Sequence, residues 1–341
     1  MTGAPPPTSP STRPAFHLRP GRGAADVPVC VDLYFASMEA LLRQQGQPVG
    51  PRNPTALAKL FEHLLTTDPG GTWLAVSGAT PGEGEPVAFA MSSRRGDRWF
   101  LGFLFVLEAW QGRGIGRALM EAALPADPAD PAEHVRLRLG VCAEAIQPIS
   151  TGLYASRGML PRLPIYLLTG DLRPGALRRD PVRLDATPFS AYDPGPDAPG
   201  SGTGVGPRAL ARVSDVDRAL LGFERPEDHR MWRGTGRLGL VLHRPGDPDG
   251  EALGYGYVQP SGRIGPVLVR EPSLLEPALA ELTSAVTPAG GWQAYVPGVA
   301  GGALLPLMAA GMRIDGGPAI FCATDDGPPF DRYLPMNSAL I

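Results

Sequence analysis

The sequence predicts an α/β fold with mixed sheets, built as two tandem copies of one layered unit. Three observations predict it. Strand and helix periodicities alternate in the order strand, two helices, three strands, helix, strand, helix, strand. That order of elements and turns returns, worn, in the second half of the chain. The composition is that of a globular protein of two domains or one large one: 341 residues, 43% apolar and 19% charged.

In order, Met1 to Pro14 is rich in Pro, Ser and Thr and has no apolar run, so it reads as a disordered tail and not a signal peptide. Ala15 to Arg19 is extended. Asp26 opens a helical pattern to about Arg43, with Val29, Leu33, Met38, Leu41 and Leu42 on its apolar positions. Thr55 to Thr66 is a second helix, stopped by Asp68-Pro69-Gly70-Gly71. Trp73 to Val76, Val87 to Met91 and Arg98 to Leu107 read as strands. The last runs into Gln111-Gly112-Arg113-Gly114-Ile115-Gly116, and Arg117 to Leu124 continues as a helix. Pro125 to Pro131 is a turn region, Val135 to Val141 a strand, and Ile149 to Arg157 a helix closed by Gly158 in the left-handed conformation a helix end favours. Ile165 to Thr169 completes the first copy, 15–170.

Residues 171–207 are dense in Pro, Gly and Asp and read as a linker, with order expected around Phe189 and Tyr192. The second copy, 208–341, repeats the pattern. Ala209 to Leu221 and Pro226 to Trp232 are helical, and Leu238 to His243 is a strand. Gly250 to Tyr255 echoes Gly84 to Phe89, and Gly262 to Gly265 echoes Asp97 to Phe100. Ser273 to Val286 is a helix, Trp292 to Val296 a strand, Ala303 to Ala310 a helix and Ala319 to Ala323 a strand; Gly311-Met312 parallels Gly158-Met159.

Composition also excludes. Lys+Arg 31 against Asp+Glu 34 lacks the basic excess of a nonspecific nucleic-acid binder, so no nucleic-acid partner is expected. Lys59 is the single lysine and is followed by Leu60, so the Gly-Lys-Ser/Thr of a P-loop is missing. Cys30, Cys142 and Cys322 are odd in number and widely spaced, and the five histidines contain no HxxxH pair; neither a disulfide framework nor a metal site is expected. The longest apolar run, Trp99 to Leu107, is too short to span a bilayer, which leaves a cytoplasmic location as the default and no membrane partner.

Gln111 to Gly116 carries the chemistry. Glycines without Cβ let several backbone N–H groups turn toward one point, and the following helix adds its orphan donors and positive dipole end. Such a loop cradles a pyrophosphate. Arg113 and Arg117 add charge or are simply solvated. The dinucleotide spacing GxGxxG/A fails: counted from Gly112 its third glycine falls on Arg117, and from Gly114 on Leu119. The bland alternative is a glycine-rich turn with no ligand.

Val106-Leu107-Glu108-Ala109-Trp110-Gln111-Gly112-Arg113-Gly114-Ile115-Gly116 resembles the Arg/Gln-x-x-Gly-x-Gly/Ala acetyl-CoA signature of the GCN5-related N-acetyltransferase (GNAT) superfamily. A second match is Gln147 to Met159, with Leu153-Tyr154 and Gly158-Met159 in the family's Leu-Tyr-x-x-x-Gly-Phe; Gln147 replaces its Asn and Ser150 its Ala. The element order of 15–170 resembles the family's fold throughout. The resemblance implies two tandem GNAT folds and acetyl transfer from acetyl-CoA to an amine in a ternary complex. It implies that the main chain of Leu104, Phe105 and Val106 pairs with the pantetheine arm. Gln111, Gly112, Arg113, Gly114, Ile115, Gly116 and Arg117 would hold the pyrophosphate, and Gln147 belongs to the same cofactor-binding set. Tyr154 would protonate or hold the leaving thiolate; its bland alternative is a packed aromatic.

The general base stays open. Trp99 to Leu107 has no acid where many family members carry a glutamate. Glu108 and Glu144 could serve, though a solvated carboxylate is the plainer reading of each, and a water chain is a third route. Glu39 and Glu62 could attract a cationic amine. The second copy lacks the cradle: Val269-Arg270-Glu271-Pro272-Ser273 has no glycine, and the counterpart of Tyr154 falls near Leu307. That half resembles a degenerate GNAT domain. The expected partner is a small-molecule amine or peptide acceptor, and the expected state a monomer or homodimer. The alternative function is a noncatalytic acyl-CoA-binding or sensor protein on the same fold.

Overall fold

The computed structural model describes residues 15–50, 52–125, 136–180, 182–192 and 205–341. The expected tail at 1–14, residues 126–131 of the expected turn and the first residue of the strand expected at Val135 lie outside them. The chain forms two compact units, Met1–Met91 with Phe103–Pro125, and Ser92–Gly102 with Ala126–Ile341.

The first unit carries β1 (Phe16–Pro20), α1 (Val27–Gln44), α2 (Pro54–Thr67) and β2 (Thr72–Ser77). It also holds the first part of β3 (Pro86–Arg95), the last part of β4 (Arg98–Val106) and α3 (Ile115–Ala123). β1 pairs antiparallel with β2, from Phe16↔Ser77 to Pro20↔Trp73, and β2 pairs antiparallel with β3. Asp26 precedes α1, but its carboxylate does not cap the helix. It takes both guanidinium nitrogens of Arg19, at 2.7 and 2.8 Å, and the Arg22 N–H at 2.7 Å. α2 is capped by a side chain: Asn53 Oδ1 accepts from the Ala56 N–H, and Pro54 stands where no donor is needed. The core is aromatic. Phe61 of α2 meets Phe103 of β4 edge-on at 4.8 Å and Phe89 of β3 at 5.5 Å, while Tyr34 of α1 meets Phe105 at 5.0 Å.

The second unit adds β5 (Arg138–Glu144), α4 (Pro148–Ala155), β6 (Leu160–Gly170), β7 (Asp185–Pro188) and α5 (Phe189–Tyr192). α6 (Pro207–Leu221), α7 (Pro226–Gly234), β8 (Leu238–His243), β9 (Gly254–Val258) and β10 (Arg263–Val269) follow. α8 (Leu275–Ser284), β11 (Trp292–Pro297), α9 (Gly301–Ala310), β12 (Arg313–Ile314), β13 (Ala319–Ala323) and β14 (Tyr333–Leu334) complete it. The strand expected from Val135 begins at Arg138, where its parallel ladder with β4 starts. Part of the segment expected to link the halves is β7, antiparallel to β8, and α5, whose Phe189 and Tyr192 are buried.

Strand order in this unit runs β4-β5-β13-β6-β11-β10-β9-β8-β7. One late strand of each half has crossed over. β13, from the rear half, lies antiparallel between β5 and β6; β6, from the front half, lies antiparallel to β11. β6–β13 thus sits at the centre of a pseudo-twofold arrangement, with β5 and β11 as equivalents. The turn end of the β3–β4 hairpin is held here. Arg95 meets Asp228 at 2.7 and 3.0 Å and Glu227 at 2.8 Å, and Arg98 meets Asp325 at 2.9 Å. These bidentate pairs hold the end of β3 and the start of β4 within this unit.

Candidate active site

The glycine loop lies in the first unit. β4 ends at Val106, a 3-10 turn covers Glu108–Trp110, Gln111 is extended, and α3 begins at Ile115, two residues earlier than its periodicity indicates. Gly112 has φ +74° and Gly114, the N-cap residue, φ +82°; these left-handed conformations disfavour any side chain with a Cβ. A Cβ built on either would meet no atom within 4 Å. Protein packing does not fill that space. The first bond of the helix runs from the Ala118 N–H to the Gly114 carbonyl at 3.0 Å. The N–H groups of Ile115, Gly116 and Arg117 precede it and have no acceptor four residues back. Ile115, Leu119, Met120 and Ala123 anchor α3 through its buried face. Arg117 is exposed.

Two side chains of the loop fold back onto it. Gln111 Nε2 donates to the Val106 carbonyl at 3.0 Å, which ties the loop to the end of β4. Arg113 donates to the Ala109 carbonyl at 2.9 Å and lies over the Trp110 ring at 5.0 Å, with its Nε buried and without a hydrogen-bond partner. Glu108 accepts from Gln44 Nε2 at 2.8 Å at an exposed position. Leu104, Phe105 and Val106 are half-buried on β4, and Phe105 joins the aromatic core. The parallel ladder of β4 with β5 spans four pairs, from Arg98↔Arg138 to Leu101↔Val141, and stops. Glu39 is occupied by Arg43 at 2.9 Å and Arg52 at 2.6 Å, while Glu62 is exposed on α2.

The second unit places Glu144, Gln147 and Tyr154 on consecutive elements. Glu144 ends β5 half-buried, and burial pushes its carboxyl above the usual carboxylate range. Gln147 precedes α4; its carbonyl accepts from Ser150 Oγ at 3.0 Å and Thr151 Oγ1 at 3.2 Å, and its side chain makes no cap bond. Tyr154 is the buried residue of α4, and burial raises its phenol further above neutrality, reinforced by the Cys322 and Cys142 thiols. Met159 N–H donates to Tyr154 O and Gly158 N–H to Ala155 O, with Gly158 at φ +79°. This is the double-bonded helix stop that Gly158 predicts.

The rear half repeats this frame without its polar contents. Met312 N–H donates to Leu307 O and Gly311 N–H to Met308 O, so Leu307, fully buried, is the positional counterpart of Tyr154. Glu271 is extended and a 3-10 turn spans Pro272–Leu274; no residue from 269 to 273 has positive φ. β10 and β11 are parallel only at Arg263↔Gln293 and Ile264↔Ala294. Beyond that point β14 pairs antiparallel with β10, at Val267↔Leu334 and Leu268↔Tyr333. The C-terminal segment thus occupies the ladder that β10 leaves open.

Sequence reasoning missed a buried polar network behind β9. Asp217 Oδ2 meets Arg225 Nε at 3.2 Å and His229 Nε2 at 2.9 Å, and Tyr255 OH donates to Oδ1 at 2.5 Å. Arg225 also donates to Tyr333 and Tyr255 at 2.8 and 2.7 Å, and His229 Nδ1 pairs with Tyr257 OH at 2.6 Å. Burial alone would raise the Asp217 carboxyl, but the Arg225 and His229 charges and the hydrogen bonds from His229 and Tyr255 hold it below the usual range. The signal was present: Asp217 lies four residues after Val213 on the buried face of α6, and Tyr255 and Tyr257 share a face of β9. Among the described residues no group of three or more His, Cys, Asp or Glu side chains could hold a metal ion, and no helix is long and apolar enough to cross a membrane.

Comparison with known proteins agrees with this geometry. Residues 35–159 match the model of the acetyltransferase (GNAT) family. A candidate acetyltransferase from Pyrococcus horikoshii shares the fold at TM-score 0.68 and 17% identity, over 96% of each chain. A GCN5-related N-acetyltransferase from Sphaerobacter thermophilus aligns at TM-score 0.55 and 17% identity, over 92% of this chain and 96% of its own. A tandem GNAT protein from the clavulanic acid biosynthesis pathway aligns at TM-score 0.54 and 17% identity, over 92% and 99%. No curated protein sequence matches. The GNAT family match thus covers residues 35–159, and the fold of the chain is that of tandem GNAT proteins.

Proposed function

We propose that this protein is an acetyl-CoA-dependent N-acetyltransferase acting on a small-molecule amine or peptide acceptor, with its cosubstrate held by the front half alone. The glycine loop carries the reading. Gly112 and Gly114 stand in left-handed conformations over open space beside the orphan donors of α3, so the residues present fit a pyrophosphate. Gln111, Arg113, Ile115, Gly116 and Arg117 complete that loop. Leu104, Phe105 and Val106 offer main-chain groups beyond the end of the β4–β5 ladder, where an extended pantetheine arm adds like a strand. Gln147 is assigned to the same cosubstrate by its place in the second motif.

Acetyl-CoA supplies the thioester. The chain's own residues handle protons. The acceptor nitrogen forms its bond to the acetyl carbon while the carbon–sulfur bond breaks. Glu144 takes the proton the amine loses, and its raised pKa suits a base working nearer neutrality than an exposed carboxylate. Tyr154, kept protonated by burial, donates to the departing thiolate. Glu108 is engaged with Gln44 and is the weaker candidate base. The rear half, with its slot filled by β14 and leucine in place of the tyrosine, serves as scaffold for β4 and β6.

The test is calorimetry with acetyl-CoA followed by a free-thiol assay over a panel of amines and peptides. Binding with thiol release dependent on one acceptor class supports the proposal. Binding without turnover over the whole panel would favour a sensor on this fold, and no binding would remove both readings.

A further inference from the structure

One end of the rear-half sheet gathers arginines that the proposed reaction does not use. The pairs Leu238↔Val258 and Ile264↔Val258 put Arg237, Gln259 and Arg263 side by side across β8, β9 and β10, and Gln259 N–H donates to the Arg263 carbonyl at 3.0 Å. Period-two alternation sets all three on the face that carries Tyr257, and Arg263↔Gln293 extends the row onto β11. There Arg263 donates to Gln293 Oε1 at 3.1 Å and lies 5.6 Å over the Tyr295 ring.

Arg237 is unlike the other buried arginines of its unit. Arg95, Arg98 and Arg225 each meet a carboxylate. Arg237 is 6% exposed and bonds through one terminal nitrogen to Thr235 Oγ1 at 2.6 Å, and its Nε is buried without a hydrogen-bond partner. Among the described residues neither Arg237 nor Arg263 is in an ion pair. Arg233 does not offset the charge: its guanidinium donates to the Arg237 carbonyl. Burial, then the charge of Arg263, pull the Arg237 guanidinium down to about 10, with the Tyr257 phenol as the opposing influence. A buried cation beside a second cation, with no counterion among the described residues, is an arrangement that an external anion completes.

We propose that Arg237 and Arg263, with Thr235 and Gln259, form a second binding site for an oxyanion group, a phosphate or a carboxylate, built from residues separate from the glycine loop. Both arginines rise from one face of the sheet, and each guanidinium keeps N–H donors beyond the one given to Thr235 or Gln293, which an oxyanion can take.

The experiment is isothermal titration of the full chain with inorganic phosphate and, separately, with citrate. Both use a Gly114→Val background so that the glycine loop does not contribute. Saturable binding of either anion is expected, and the tighter of the two identifies the oxyanion class. Arg237→Leu should weaken it at least tenfold. Arg263→Gln, at a half-buried position, should weaken it at least threefold. Arg237→Lys should retain part of it. Absence of saturable binding of both anions, or equal affinity in the parent and in Arg263→Gln, would overturn the site. Neither result bears on acetyl-CoA, which is titrated against a chain with Gly114 intact.

Discussion

The front and rear halves build the same layers and fill them differently. In front, the β3, β4 and helix interface is a cluster of phenylalanines with Tyr34; in the rear, the corresponding interface holds Asp217, Arg225, His229 and three tyrosines bonded to one another. In front, the β4–β5 ladder stops at Leu101↔Val141 and a glycine loop follows. In the rear, the β10–β11 ladder stops sooner, but β14 takes over the pairing and an acidic, proline-containing turn follows. A duplicated fold keeps its elements because burial demands them. The segments that follow β4 and β10 are under less of that demand, and they are where the two halves differ most.

The largest expected effect separates the two interiors. Asp217→Asn leaves Arg225 buried without its counter-charge and should cost about 3–5 kcal/mol of stability, measured by denaturant unfolding. A cost below 1 kcal/mol would mean that the network is ornamental. The wild-type pair also sets a pH dependence. The Asp217 carboxyl titrates below its ordinary 3.8 in the folded chain, so its contribution is present above that value and is lost as pH falls through the lower, folded one.

Next comes the tyrosine and its counterpart. Tyr154→Phe should lower kcat about 100-fold with acetyl-CoA affinity nearly unchanged, the loss expected for one general acid. Leu307→Phe, in the buried rear position, should cost about 1–3 kcal/mol of stability by overpacking and change no kinetic constant in a protein that still folds. Equal kinetic effects of the two would erase the functional difference between the halves.

A smaller effect is expected at Glu144. Glu144→Gln should lower kcat/KM about tenfold and flatten the acid limb of its pH profile, a modest loss within what water can replace. In the parent chain that limb lies above pH 4.5, because burial raises this carboxyl; activity rises as pH climbs through its pKa. The same limb in Glu144→Gln would return the choice of base to Glu108 or to water.

Much of this was legible in the residues. Periodicity places nearly every long element, and Gly158 and Gly311 mark helix stops that the hydrogen bonds bear out. The glycine loop was readable because its conformation is local: positive φ at Gly112 and Gly114 depends on no distant partner. What escaped depends on distant pairing. β7 and β14 are two to four residues long and lie in segments rich in Pro, Gly and Asp, so only tertiary context makes them strands. The crossing of β6 and β13 leaves no periodic trace, since each looks like an ordinary last strand of its own half. The polar network escaped because single charged residues on helices read as surface until tyrosines from another element are brought against them.

The central claim, that one half holds the coenzyme and the other has given it up, is tested most directly by backbone hydrogen exchange with and without acetyl-CoA. Slowed exchange is predicted at the amides of residues 112–117, with residues 269–275 unchanged. Protection at 269–275, or at neither segment under saturating acetyl-CoA, would contradict it.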